Sequence, residues 1–289
     1  VEVPNTRTRC QMDPPGSARA DTTSADEPID REDCKTAATE SKALDFHVEK
    51  YAEALENWPA RGQVILAQFT ADAILVYQAF KPSIARHAVK HQSFEGCMGY
   101  STSRMTWIKT NFLWMMYRSN WGKRANQQAI LAIWLKRSFF ETLLRHAKAT
   151  QGIGVKAKQK RKEQNKGSKD RSRDGRNKTC RFQWDPDHHP NGSKHVYRRA
   201  IQIGIKGKLA QTYASADKKI SPILKIIDVT PFVTEQKALL NGMKKAIKSE
   251  CQKTDLKVAR ERLYTGIPKD LAIDIGLDDL LVDDIHEQE

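Results

Sequence analysis

The sequence predicts an α+β fold. We expect a single mixed domain with a mostly antiparallel or split sheet of about seven strands and several short helices around a buried aromatic helix. Three observations support this class. Short apolar runs bounded by turn residues recur between residues 58 and 248, as strands do. Segments with helical spacing separate them without a strict strand–helix–strand rhythm. Residues 112–121 are apolar on nearly every face, which is typical of a helix enclosed by the core.

Charge is unevenly distributed along the chain. The net charge is +14, yet residues 1–57 carry 7 basic and 13 acidic side chains, and residues 270–289 carry 8 acidic side chains and no Lys or Arg. Residues 58–269 hold the remaining 42 basic and 14 acidic side chains. This pattern indicates a polyanionic partner, or acidic ends that fold back and screen a basic body.

The same shifts in composition predict three regions. Residues 1–57 form an acidic leader that is disordered until one amphipathic helix at about 41–57. Residues 58–248 form the core domain, with a mobile basic insertion at 150–179. Residues 249–289 form a C-terminal extension with an acidic tail.

Cysteine usage and hydropathy exclude several classes of protein. Five scattered cysteines form neither a disulfide framework nor a zinc motif, which favours a reducing compartment. No signal segment opens the chain, and no apolar run approaches the roughly 18 residues of a membrane span. We expect an intracellular protein, cytoplasmic or nuclear, without a membrane partner. The cysteines are Cys10, Cys34, Cys97, Cys180 and Cys251.

Elements before residue 123 follow from apolar spacing and capping residues. Two strand-like runs separated by a short turn predict a hairpin, and Lys81-Pro82-Ser83 starts a short helix. Residues 104–108 predict a strand that feeds the aromatic helix, which Asn111 caps and Gly122 ends. The hairpin runs and the inward residues of the short helix are 63–68, 73–80, Ile84, Ala85, Ala88 and Val89.

Later elements repeat the alternation. Ser138 and Glu141 form a capping box for one helix, and Thr230, followed by Pro231, caps another. Turn signals fill the connection 185–198 between two strands. The predicted strands are 129–135, 180–184, 199–206 and 220–229, and a further helix lies at about 206–215.

The strongest candidate for an anion site is the run Ser101, Thr102, Ser103 and Arg104. Hydroxyls and a guanidinium supply converging donors, and Arg binds phosphate through two parallel hydrogen bonds. Lys109 and Arg118 either extend this site or complement the end of the aromatic helix. The structural alternative for the run is a loop whose hydroxyls satisfy backbone groups.

Four polar residues stand inside otherwise apolar strands: Tyr77, Gln78, Gln183 and Gln202. A buried amide needs hydrogen-bond partners, so these residues either form a core network or face a ligand.

Residues 183–189 gather two carboxylates and two imidazoles, which can hold a divalent metal. Their spacing matches no metal signature, so we predict no metal site and read the segment as a turn. Asp185 and His195 are alternative candidates for a general base.

Residues 155–181 hold 12 basic and 3 acidic side chains and no aromatic residue. Such a loop can bind polyanions non-specifically by releasing counterions. It lacks aromatic rings for base stacking, so we expect no sequence-specific recognition. The alternatives are a solvated insertion and a localisation signal.

Several runs together resemble a known family, the bacterial and fungal domain of unknown function numbered 4291. They are ILAQFTADAILVYQAF, SRMTWIKTNFLWMMYRSNW, AILAIWLKRSFF and QWDPDHHPNGSKHVYRRAIQIGIKG, and the resemblance covers about residues 63–240. It implies a fold and brings no established reaction. The leader, the basic insertion and the acidic tail depart from the family pattern.

The order of elements is also similar to ADP-ribosyltransferase-like folds, in which a Ser-Thr-Ser element helps to hold NAD. By this analogy Ser101, Thr102 and Ser103 take that place, and Gln202 stands where the acceptor is oriented; Asp185 remains a catalytic candidate as a general base. No clear catalytic Glu occurs on the later strands, and fold does not imply function.

We therefore expect a nucleotide-binding enzyme with a pyrophosphate site on the Ser-Thr-Ser-Arg strand, with NAD as its cofactor. The alternative is a non-catalytic, nucleic-acid-associated basic protein that binds through the core and residues 155–181.

Overall fold

The computed structural model describes residues 44–150, 179–242 and 255–278. The predicted leader up to residue 43, nearly all of the basic insertion and the end of the acidic tail lie outside these residues. Cys10, Cys34 and Cys251 lie outside them as well.

The described chain is a mixed α+β fold, which confirms the predicted class. Its strands are β1 (Val48–Lys50), β2 (Gly62–Gln63), β3 (Leu66–Ala67), β4 (Ala73–Phe80), β5 (Thr106–Lys109), β6 (Ala129–Lys136), β7 (Lys148–Ala149), β8 (Cys180–His188), β9 (Lys194–Ile205), β10 (Ile223–Asp228), β11 (Lys257–Ala259) and β12 (Arg262–Leu263). Its helices are α1 (Tyr51–Asn57), α2 (Pro82–His91), α3 (Phe112–Ser119), α4 (Arg137–His146), α5 (Lys208–Ala214), α6 (Thr230–Gly242) and α7 (Lys269–Ile275).

Eight strands form the main sheet. Their order is β10-β6-β4-β5-β9-β8-β7, with β2 beside β9. Neighbours are antiparallel except in the pairs β2–β9 and β7–β8. β1–β11 and β3–β12 form two small antiparallel ladders. Both contain strands from residues 255–278, a segment that the sequence assigns to an extension and that here completes the same unit.

Apolar side chains cover both faces of the sheet. Because alternate residues of a strand point to opposite faces, β4 sends Tyr77 to one face and Val76 to the other. The first face packs against α1, α3 and α6, and the second packs against α2, α4, α5 and α7. The aromatic helix α3 is the buried element that the sequence predicted. Its Phe112 ring contacts the rings of Phe46, Tyr77, Trp121 and Phe232.

The predicted helix at about 41–57 is too long. The structure begins α1 at Tyr51, because Val48–Lys50 pairs as a strand with Lys257–Ala259. Val48 is exposed instead of facing the core as a helical stripe requires. A distant pairing has overridden local spacing.

The predicted hairpin is only partly correct. Its turn is present, since the Leu75 N–H donates to the Gln68 carbonyl (2.8 Å) and Phe69 bridges Ile74. Its first strand is divided, because β2 pairs with β9 and β3 pairs with β12.

The aromatic helix begins as predicted and ends early. The Asn111 side chain accepts the Trp114 N–H at 2.7 Å, which confirms the N-cap. The helix stops at Ser119 because Asn120 adopts a left-handed conformation (φ 51°), so Asn120 rather than Gly122 provides the C-cap.

The capping box at Ser138 is wrong. β6 continues directly into α4, and Ser138 lies inside the first turn. The helix start is fixed by tertiary contacts instead: the Arg137 N–H donates to the Asp72 carbonyl (2.8 Å), and its Nε donates to the Tyr264 hydroxyl (2.9 Å).

The connection predicted at 185–198 is mostly strand. β8 and β9 run through it and remain paired to His188 and Lys194, with a register shift after Pro186. The turn signals are real, but most of the segment is held by the ladder.

Candidate functional site

Four of the predicted polar residues form one row across the sheet. β5 pairs Lys109 with Tyr77 of β4 on one side and with Gln202 of β9 on the other. Gln202 pairs in turn with Gln183 of β8. Residues paired across antiparallel strands project from the same face, so the row crosses the face that carries α3.

A cavity opens beside this row because β4 and β5 are paired at one position only, Tyr77 with Lys109. Beyond this pair the two strands separate, and their residues line a cavity of about 650 Å³. Gln78 spans the gap by donating to the Thr106 hydroxyl (2.8 Å) and to the Trp107 carbonyl (3.2 Å). The volume lies in the range of small-molecule sites.

The lining of this cavity is cationic. Lys81, Arg104, Lys109 and Arg118 contribute to it, and among the described residues no carboxylate does. Lys81 and Arg104 are exposed at the rim, Arg118 on α3 is half-buried, and Lys109 is only 4% exposed. Clustered cations with low-dielectric walls concentrate positive potential and attract anions.

Lys109 is the most unusual of these cations. Its ammonium lies 4.8 Å from the centre of the Trp114 ring, and in the described part of the chain it makes no hydrogen bond or ion pair. Burial, followed by the nearby Arg118, lowers the pKa of Lys109 from 10.5 to about 7, while Asp185 opposes the shift. A lysine held this way is partly neutral near pH 7.

Asp185 holds the two glutamines of the row. It accepts hydrogen bonds from Gln183 Nε2 (2.8 Å) and Gln202 Nε2 (2.6 Å). Burial raises the pKa of Asp185, and these two bonds oppose the rise. Only Gln202 of the three reaches the cavity wall, so Gln183 and Asp185 act on the cavity through it.

The Ser-Thr-Ser-Arg run lies on a loop before β5, not on the strand that the sequence predicted. The Ser101 and Ser103 hydroxyls bond each other at 2.9 Å, and the Thr102 carbonyl accepts the Gly207 N–H at 2.7 Å. The loop of the structural alternative is therefore present, with Arg104 exposed, but the Ser101 and Ser103 hydroxyls bond each other instead of backbone groups. Ser101 and Arg104 nevertheless line the cavity.

A second cavity of about 520 Å³ adjoins the first and shares Tyr100 and Ser101 with it. Thr102 and Ser103 line this second cavity, not the cationic one. Its walls include Glu95, whose carboxylate accepts the Ala216 N–H at 2.6 Å. The predicted hydroxyl cluster is thus divided between two cavities.

Two predicted ligand-binding residues are enclosed by protein. Tyr77 is fully buried, and burial, then the nearby Glu261 carboxyl, raises its pKa well above the ordinary value. Gln78 is 2% exposed at the cavity wall, and its Oε1 accepts the Tyr213 hydroxyl at 2.7 Å. Tyr77 supports the core, whereas Gln78 bridges the gap between β4 and β5.

In the carboxylate–imidazole segment, Asp187 has a structural role. Asp187 pairs with Arg198 at 2.6 Å, both almost fully buried. His195 Nδ1 accepts the backbone N–H of Arg198 at 3.1 Å, which leaves it poorly placed as the predicted general base. Within the described residues no group of three or more His, Cys, Asp or Glu side chains could hold a metal.

Sequence reasoning predicted Lys109 but did not assign Trp107 to the cavity wall. Trp107 lies on the same face of β5 as Lys109, with buried Ile108 between them, so the period of two in this short strand was the available signal. Gly204, paired with Trp107, leaves room for the ring, because a Cβ there would lie 3.1 Å from a Trp107 carbon and 2.8 Å from Met105 Sδ. Further lining residues that had no local signal are Phe80, Tyr100, Asn126 and Gln127.

Fold and cavity together define a mixed α+β protein with a cationic, ligand-sized cavity at a split in its sheet. The model of the family described as a domain of unknown function (DUF4291) matches residues 64–264. This is well over half of the chain, so the chain belongs to that family, as the resemblance implied.

Two further comparisons complete this picture. No curated protein and no solved structure matches the chain significantly. Within the described residues, no helix has the length and apolar character needed to cross a membrane.

Proposed function

We propose that the cationic cavity binds a nucleotide or another phosphate-bearing ligand. The observation that carries this proposal is the wall itself: four cations and no carboxylate among the described residues around about 650 Å³. The geometry assigns different tasks to the cations. Arg104, exposed on its loop, is free to engage phosphate oxygens in pairs, whereas Lys109 and Arg118 supply charge deeper inside.

Aromatic and amide groups suit the rest of a nucleotide. Phe80, Tyr100 and Trp107 line the same cavity and offer ring faces to a base or a nicotinamide. Gln202, fixed by Asp185 at 2.6 Å, offers an oriented amide. Its own hydrogen bond to Asp185 reduces the conformational freedom that binding would otherwise remove.

The finer proposal is an NAD-using, ADP-ribosyltransferase-like reaction. In it Arg104 and Ser101 contact the pyrophosphate, and Gln202 with Asp185 orients the acceptor. Gln202 in the wall and Ser101 at the mouth support this arrangement. The described cavity wall contains no carboxylate, so the proposed reaction differs from a mechanism that uses a catalytic Glu.

The test is thermal melting of the full chain with NAD, ATP, GTP or inorganic phosphate. A ligand at about a hundred times its dissociation constant stabilises by roughly 2.7 kcal/mol, a shift of about 5 °C or more for a protein of this size. Arg104→Ala should remove the shift without lowering the melting temperature of the free protein. Arg86→Ala, an exposed arginine on α2 away from the cavity, is the matched control.

A shift with NAD alone supports the transferase proposal, and equal shifts with all nucleotides support general phosphate recognition. An unchanged shift in Arg104→Ala contradicts the proposed role of Arg104. No shift with any of the four ligands contradicts nucleotide binding.

Nucleic-acid association is the second candidate, favoured by 42 basic against 14 acidic side chains in residues 58–269. Affinity should fall steeply as salt rises, and deletion of 155–179 should flatten that dependence. If the salt dependence of affinity is unchanged in the deletion variant, residues 155–179 do not contribute to nucleic-acid binding.

A further inference from the structure

Lys109 combines three properties that electrostatic binding alone does not require. It is 4% exposed, it lines the cationic cavity, and its ammonium has no hydrogen-bond or ion-pair partner in the described part of the chain. A buried cation is normally paired, because removal from water is costly. Among the described residues, the Trp114 ring, whose centre lies 4.8 Å from the ammonium, partly compensates, and the more distant Asp185 also favours the charged form.

We propose that Lys109 is a nucleophilic amine that forms an imine with small carbonyl compounds bearing a phosphate or carboxylate group. The inference rests on the same cavity as the proposed function and adds a covalent step and a class of ligand to it. It assigns Lys109 to the reacting atoms and leaves recognition of the anion to Arg104 and Arg118.

The chemistry requires a neutral amine, and the site supplies one. Burial and Arg118 lower the pKa of Lys109 to about 7, so about half of the molecules carry a free amine at that pH. A lysine with an ordinary pKa of about 10.4 is neutral in fewer than roughly one molecule in a thousand at pH 7. Desolvation beside a second cation is a recognised way to activate an amine.

The bonds balance without another reactant. The Nζ lone pair attacks the carbonyl carbon, and one proton passes from that nitrogen to the carbonyl oxygen to give a carbinolamine. The C–O bond then breaks, the hydroxyl leaves as water with the second nitrogen proton, and the C=N bond forms. No electron donor or acceptor is needed, and the amine is regenerated when water adds back.

Charge explains why the carbonyl compound must be anionic. A protonated imine would restore a positive charge beside Arg118, in a wall whose described residues include no carboxylate. A phosphate or carboxylate on the same ligand compensates both charges. A neutral aldehyde supplies no compensation, so it should react poorly.

The experiment is reductive trapping on the full-length protein at pH 7. Pyridoxal 5′-phosphate is the anionic probe and pyridoxal is its phosphate-free counterpart; borohydride converts an imine to a stable secondary amine, which peptide mass spectrometry locates. Lys81, exposed at the rim of the same cavity, is the internal control. Lys109→Met removes both the nucleophile and its charge, whereas Lys109→Arg removes the nucleophile and keeps the charge.

We expect one adduct per chain, at Lys109, at concentrations of pyridoxal 5′-phosphate that leave Lys81 unmodified. Pyridoxal should label Lys109 much less, and both Lys109 variants should lose the adduct, while Lys81→Met should retain it. Equal labelling of Lys81 and Lys109, or none at Lys109, overturns the proposal. Equal labelling of Lys109 by both probes overturns the requirement for an anion.

The outcome is separable from that of nucleotide binding. Labelling of Lys109 with no melting shift from any nucleotide supports the imine site and contradicts nucleotide binding. A melting shift with a nucleotide but no adduct at Lys109 supports nucleotide binding and overturns the imine site. If both hold, NAD or ATP should protect Lys109 from the probe.

Discussion

Two buried cations on the same sheet have opposite surroundings. Arg198 on β9 is almost fully buried, pairs with Asp187 at 2.6 Å, donates to the Pro59 carbonyl at 2.9 Å and lies over the Trp58 ring. Lys109 on β5 is equally buried, and within the described residues its ammonium contacts the Trp114 ring without a hydrogen bond or ion pair.

The difference separates architecture from a candidate site. A buried ion that has a partner and further hydrogen bonds is compatible with a stable fold. A buried ion without a partner is destabilising, and its perturbed pKa beside a cavity is the mark of a functional group. Arg198 therefore anchors the β8–β9 hairpin, whereas Lys109 is the candidate for contact with the proposed ligand.

The largest expected effect comes from breaking the buried Arg198–Asp187 ion pair. Asp187→Asn keeps the oxygen that accepts the His188 N–H but leaves the Arg198 cation buried without a counter-charge. The free energy of unfolding should fall by about 3–5 kcal/mol, measured by urea denaturation. The control, Asp270→Asn, disrupts the exposed Arg145–Asp270 pair and should change stability far less. Equal losses would mean that burial of the first pair is unimportant.

Replacing Lys109, the buried cation without an ion-pair partner among the described residues, should increase stability instead of decreasing it. Lys109→Met removes a buried charge and should raise the free energy of unfolding at pH 6 by a few kcal/mol, given about 1.4 kcal/mol per pKa unit. The folded pKa is about 7 and the ordinary value is 10.5. Between these values the unfolded chain binds more protons, so wild-type stability rises with pH and the advantage of the variant should shrink by pH 9.

Lys109→Arg is the control for this prediction, because it keeps the charge and should bring no gain. Arg118 and Asp185, the other charged groups that act on Lys109, are unchanged in both variants. A gain from Lys109→Met that is independent of pH would indicate improved packing rather than removal of a charge.

A smaller effect is expected in ligand binding. The NAD pyrophosphate does not titrate between pH 6 and 9, but bound pyrophosphate should favour protonated Lys109. If it raises the pKa of Lys109 by one unit, affinity should fall about tenfold as pH rises through this window. Calorimetric titration at pH 6 and 9 measures the change. In Lys109→Arg the affinity should be the same at both values, and a dependence that persists there would exclude Lys109 as its source.

The smallest effect concerns a third buried ionisable group, Glu261. It is 0% exposed and accepts the Phe112 N–H at 2.7 Å, and burial raises its pKa well above 4.5. Above pH 4.5 the unfolded chain releases a proton that the folded chain keeps, so wild-type stability falls until the folded pKa is passed.

Glu261→Gln removes this slope and keeps an acceptor for Phe112. Relative to wild type, its free energy of unfolding should rise between pH 5 and pH 8, measured by urea denaturation at both values. A constant difference would show that Glu261 titrates alike in both states, and its burial would then have no electrostatic consequence.

Local sequence was sufficient for elements whose pattern matches their burial. β6 was predicted almost to the residue, because seven consecutive apolar residues, Ala129–Leu135, are all buried. The Asn111 cap was predictable because capping is a contact over three residues. The helix at 41–57 and the Ser138 cap failed because Val48–Lys50 and Arg137 are held by distant partners, β11 and Asp72.

The sequence by itself determined the fold class, the family and the types of residue in the candidate site. A polar residue in an apolar strand, or an arginine after hydroxyls, is visible without coordinates. Only the tertiary structure decided which of these residues meet. Strand register placed Lys109 between Tyr77 and Gln202, and the single pair between β4 and β5 opened the cavity beside them. Burial, charge compensation and pKa depend on neighbours that are distant along the chain, and no local pattern encodes them.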